Sequence, residues 1–168
     1  YGMELLISDV LNTIIVLLIA LFSHTLPAVV VFIAVFMGLR QFVGGFHANS
    51  HLSCMFTLVM VMMVFSYGIC NVSGHITPIF SISFIMIALP IILCIAPVPH
   101  PNKPMSEEKS VKLRKRSCIL AVTLSVVTIA LLVFQYQKLS LYVSSGMLLS
   151  AIMALLGHFL NRGDNSKR

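Results

Sequence analysis

The sequence contains no tryptophan, and charge of either sign is scarce. Only 10% of its 168 residues are charged, and aspartate and glutamate together number 5. Soluble domains carry about 25% charged residues, so this composition excludes an ordinary water-soluble globular fold. Without tryptophan the strongest marker of a membrane–water boundary is missing, and Tyr67, Tyr136 and Tyr142 are left to mark the ends of apolar runs. No cleavable signal peptide is expected, because the first apolar run starts almost at once and no A-x-A-like site follows it. Cysteine is sparse too. Cys70, Cys94 and Cys118 lie in or beside apolar runs, where cysteine behaves as a small hydrophobe, and the spacings fit neither a disulfide framework nor a zinc motif. Cys54 differs from these three in its polar neighbours.

What is abundant is apolar length. The chain is 58% hydrophobic with a mean hydropathy of +1.01. Six apolar runs are legible, at about 4–22, 26–43, 53–70, 76–96, 118–134 and 139–160. Each is close to the roughly 20 residues that cross a bilayer core as a helix. In lipid every backbone polar group must be satisfied within the segment, so helix is the form expected for each run. The expected fold class is therefore all-α: a polytopic membrane protein of about six transmembrane helices, forming one domain over residues 1–168.

The net charge of +6 matters less than where it lies. Lys103, Lys109, Lys112, Arg114, Lys115 and Arg116 share the 97–117 segment, and Arg162, Lys167 and Arg168 share the C-terminus. Such clusters mark cytoplasmic loops of a membrane protein; the hydropathy overrules the nucleic-acid partner that a pI near 9.4 would otherwise indicate. With 97–117 placed in the cytoplasm, alternation puts 71–75, 23–26 and 135–138 outside. It puts 40–52 and both termini in the cytoplasm. Pro97, Pro99, Pro101 and Pro104 predict an extended arm, followed by a polar helix capped by Ser106 that leads into the fifth span.

One stretch carries reactive chemistry. Between the second and third runs stand Arg40, Gly44, Gly45, His47, Asn49, His51 and Cys54. A cysteine becomes a nucleophile as a thiolate, which a histidine or a cation favours. His47 is the candidate base for Cys54, and Arg40 either favours the thiolate or binds a carboxylate through its fork of donors. Gly44 and Gly45 permit a close backbone approach beside the histidine. On a straight helix the seven residues from His47 to Cys54 span about 10.5 Å, too far for a hydrogen bond. A joint role thus requires the chain to bend, and Asn49-Ser50 is a suitable turn and N-cap. Two other readings stay open from the residues alone. A short loop can hold an arginine, histidines and a cysteine with no shared chemistry. His47, His51 and Cys54 can also be read as metal ligands on one continuous helix, although no fourth ligand is evident. His24, His75, His100 and His158 are weaker candidates, and Asp9 and Asn12 fit interhelical hydrogen bonds in the first span.

The pattern Arg-x4-Gly-x-His-x6-Cys, here Arg40, Gly45, His47 and Cys54, closely resembles the accessory gene regulator B (AgrB) family of quorum-sensing membrane peptidases. Ala96-Pro97-Val-Pro-His-Pro-Asn102-Lys103-Pro104 and the Glu-Lys-rich segment after it resemble the family's central loop, and Tyr1-Gly2-Met3-Glu4 the start of its first span. The resemblance implies a cysteine endopeptidase that cuts the C-terminal part from a short AgrD-like precursor at the cytoplasmic face. It further implies Cys54 as nucleophile, His47 as general base, and cyclisation of the acyl-enzyme thioester to a thiolactone or lactone. The implied partners are that precursor and the lipid bilayer, with a homodimer compatible with so small a chain. The basic residues Lys103, Lys112, Arg114, Lys115 and Arg116 would meet the precursor's acidic part. No cofactor and no metal is implied. Beside the peptidase stand two alternatives: a non-enzymatic multispan transporter or peptide-exporter component, and a His/Cys metal-binding membrane protein.

Overall fold

The structure is a computed structural model that describes residues 10, 13–15, 17, 18, 20–22, 26–43, 77–97 and 107–165. All secondary structure among them is helical: a short apolar α1 (Thr13–Phe22), then α2 (Leu26–Val43), α3 (Thr77–Ile95), α4 (Glu107–Val133) and α5 (Gln137–Asn165). The last four are long and apolar enough to cross a bilayer. The expected runs at 26–43 and 76–96 coincide with α2 and α3. The expected polar helix and fifth span are one continuous helix, α4, of 27 residues. At 1.5 Å per residue it reaches about 40 Å, beyond the roughly 30 Å of a hydrocarbon core. The sixth run extends to Asn165. The expected span at 53–70 and most of the proline arm, with the Ser106 cap, lie outside the described residues.

α5 is the helix around which the others assemble. It contributes Val143, Met147, Ala151 and Ala154 to a core shared with Val35, Leu39 and Val43 of α2, Ala88 and Ile92 of α3, and Ala121 of α4. Many of its buried positions are small or hydroxylated: Ser140, Ser144, Ser145, Gly146, Ser150, Ala151 and Ala154. Between membrane helices the lipid tails are as apolar as any side chain, so association depends on close packing, and small residues allow it. A Cβ on Gly146 would stand 3.0 Å from the Phe32 carbonyl oxygen, and one turn on, Ser150 Oγ donates to the Phe36 carbonyl at 3.5 Å. Four residues along one helix match four along the other, so α2 and α5 run parallel. Ser81 and Ser140 hydroxyls meet at 3.1 Å near the starts of α3 and α5, which are parallel as well. Phe134–Tyr136 reverses the chain between α4 and α5. Tyr136 N donates to the Leu131 carbonyl and Gln135 N to that of Leu132, with Gln135 at φ 64°, a left-handed helix cap.

Among the described residues, the buried hydroxyls are engaged within their own helices. Ser81, Ser125, Thr128, Ser144, Ser145 and Ser150 each donate to a carbonyl of the preceding turn of their own helix. Pro90 in α3 has no N–H to donate to Met86, and both residues lie on the exposed face of the helix, opposite the buried Ala88 and Ile92.

Candidate functional site

The parallel and antiparallel pairings place four helix ends together. The C-terminal ends of α2, α3 and α5 and the N-terminal half of α4 share one end of the bundle, where Val43, Ala96, Ala121 and Ala154 join the same buried cluster. Arg40 stands in the last turn of α2, where a cation is favoured by the negative end of the helix dipole. Its guanidinium carbon lies 5.7 Å from the centroid of the Phe36 ring, one turn back, and Phe36 is itself 1% exposed. Arg40 is half-buried. Its charge is thereby held at the edge of the packed bundle, directly before Gly44, Gly45 and His47 in the chain. Phe36 was not singled out from the sequence; the signal available was an aromatic residue four positions before the motif arginine.

At the same end, Lys112, Arg114, Lys115 and Arg116 are exposed on the first turns of α4. Lys112 Nζ pairs with Glu108 Oε1 at 2.6 Å, a surface pair on one helix. Ser117 Oγ donates to the Arg114 carbonyl at 2.9 Å. His158 is half-buried near the end of α5, its ring edge-on to Phe159 at 6.3 Å. Gly44, Gly45, His47, Asn49, Cys54 and Lys103 lie outside the described residues, as does the expected bend between Gly45 and Cys54. So do Asp9, Asn12, His24, His51, His75 and His100. Among the described residues no three His, Cys, Asp or Glu side chains cluster as metal ligands.

A family model described as accessory gene regulator B matches residues 1–154, a stretch that takes in Arg40, Gly45, His47, Cys54 and the basic turns of α4. The chain belongs to the AgrB family. An AgrB-like protein of Clostridium beijerinckii is 24% identical over 116 residues, covering 67% of this chain and 56% of the relative. The chain thus spans little more than half the length of that relative. No solved structure matches it. AgrB membership places the chain in a family named for the accessory gene regulator. It also fits the four apolar helices of a membrane protein.

Proposed function

We propose that this AgrB-family chain is a membrane cysteine endopeptidase that removes the C-terminal part of a short AgrD-like precursor and cyclises what remains. The observation that carries this reading is the family match over 1–154, which includes every residue of the Arg40, Gly45, His47 and Cys54 pattern. In this reading His47 takes the proton from Cys54 Sγ, and the thiolate attacks the scissile carbonyl. The C–N bond breaks, the leaving amine receives the proton, and the N-terminal portion stays on Cys54 as a thioester. A thiol or hydroxyl within that portion then gives its proton to His47 and attacks the thioester, so that a thiolactone or lactone leaves and the Cys54 thiolate is restored. A thioester exchanged for a thiolactone keeps its acyl-transfer potential, so the step requires exclusion of water more than added driving force.

The active end of the bundle faces the cytoplasm in this reading, and so do both termini. Support comes from the gathering of Arg40 with Arg114, Lys115 and Arg116 at one end, while Lys138 is the lone basic side chain of the α4–α5 turn region. The exporter alternative is disfavoured by the interior hydroxyls, which are occupied by their own helices rather than lining a path.

Cys54→Ser and His47→Ala should each lower precursor cleavage by about a hundredfold or more, with the protein still inserted in the membrane. A precursor fragment should be trapped on Cys54 as a hydroxylamine-labile adduct. Cleavage retained in either variant would overturn the peptidase assignment.

A further inference from the structure

The outward side of α4 joins a cationic end to an apolar stripe. Successive residues of an α-helix are rotated by about 100°, so each side chain can be placed around the axis. Ser117, Ala121, Ser125 and Thr128, 0–5% exposed, mark the buried face. Lys112, Lys115 and Arg116 are exposed and fall within an arc of about 100° on the opposite face. Ile119, Val122, Val126 and Val133, 46–72% exposed, continue that arc along the helix. Thr123 shares it, and its hydroxyl donates to the Ile119 carbonyl at 2.8 Å, so its polar atom is engaged within α4. From Arg116 to Val133 the helix rises about 25 Å, short of the roughly 30 Å hydrocarbon core of a bilayer. The exposed rings of Phe134 and Tyr136, just past Val133, suit the far boundary. With that end at the boundary, Arg116 reaches no further than the near edge of the hydrocarbon, and Lys115 and Lys112 follow within about 6 Å. The three cations thus stand at the depth of the lipid phosphates. Glu108 lies on the same arc and pairs with Lys112 at 2.6 Å, but both side chains are exposed and such a pair holds weakly. Among the described residues Lys115 and Arg116 have no ion-pair partner.

We infer that this face of α4 binds an anionic phospholipid: Lys115 and Arg116, assisted by Lys112, hold the headgroup phosphate, and an acyl chain lies along Ile119, Val122 and Val126. Charge and shape together name the occupant. The arc carries a surplus of cations, and a guanidinium can hold two phosphate oxygens through parallel bonds. The exposed stripe that follows is as apolar as a lipid tail. A soluble anion would match the cations but leave the stripe uncovered. A zwitterionic lipid would cover the stripe but brings its own cation to its phosphate. The inference needs only that α4 crosses a bilayer, and it does not depend on the peptidase reading.

The test exploits the absence of tryptophan from the chain. Ile119→Trp places a single reporter on the stripe, and the whole chain is reconstituted in mixed bilayers in which either phosphatidylglycerol or phosphatidylcholine carries brominated acyl chains. Contact is read as fluorescence quenching. Phosphatidylglycerol should be preferred by about fivefold, the effect of roughly one cation at an anionic surface. Lys115→Gln combined with Arg116→Gln should reduce the preference to less than about 1.5-fold. A reporter at the other end of the stripe, Val133→Trp, should show a preference of less than about twofold, because it lies more than a screening length from the cations. Raising the salt from about 0.1 M to about 1 M shortens that length from about 10 Å to about 3 Å. It should remove the preference with no change to the basic residues, so the result does not depend on how the double variant folds. Equal quenching by the two lipids at Ile119→Trp, an equal preference at Val133→Trp, a preference retained in the double variant, or one indifferent to salt overturns the inference.

Discussion

α4 and α5 are joined by a three-residue reversal and are nearly equal in length, 27 and 29 residues, yet they live in different surroundings. Of the apolar span of α5, 61% is buried inside the protein; of that of α4, 22%. The buried helix is the less hydropathic of the two, at 1.9 against 2.2. In water the order would be reversed, because burial there follows hydrophobicity. In lipid an apolar side chain gains little by leaving the tails for the protein, so Val122, Val126 and Ile129 of α4 remain outside. What moves a helix inward is the ability to come close, and Gly146, Ser144, Ser150 and Ala154 provide it in α5.

The most severe way to break this contrast is to enlarge Gly146. A leucine there would drive its Cβ against backbone, the Phe32 carbonyl, and against Val35. Gly146→Leu should cost about 2–3 kcal/mol or more, measured by denaturant titration in bicelles. The same gain in volume on the lipid face of α4, Val126→Phe, should change stability by less than about 0.5 kcal/mol. If the two cost the same, close approach is not what distinguishes the helices. A smaller effect is expected from Ser140→Ala, which removes the hydroxyl contact to Ser81 between α3 and α5. About 0.6 kcal/mol is expected, and a cycle with Ser81→Ala would separate the interhelical part from the bonds each serine makes within its own helix. Smallest is the turn itself. Gln135 holds a left-handed conformation that glycine adopts without a Cβ penalty, so Gln135→Gly should stabilise by up to about 1 kcal/mol. A loss of stability there would mean that the glutamine side chain supports the cap.

Much of the fold was legible because hydrophobic runs of bilayer length have no alternative to helix. The run at 26–43 and the polar helix leading into the fifth span follow from that constraint together with Pro27 and the charge run at 107–116. The candidate site was legible as a pattern: Arg40, Gly45, His47 and Cys54 stand at a spacing that resembles the family's, and all four fall within the matched residues 1–154. The partner of Arg40 was less visible. Phe36 looks like any other apolar residue of its run until the helix brings its ring under the guanidinium.

By itself, then, the amino-acid order determined the membrane, the helices and the reactive pattern, because these depend on local composition and on spacing along the chain. Only the tertiary structure decided that α5 is the centre and that Leu39 of α2, Ile92 of α3 and Ala121 of α4 pack into one core with it. Hydropathy is nearly blind to this choice, since protein and lipid are equally apolar neighbours. Facing is set by which small residues on one helix meet a carbonyl or a side chain on another, and such pairs, Ser150 with Phe36 or Gly146 with Phe32, lie more than a hundred residues apart in the chain.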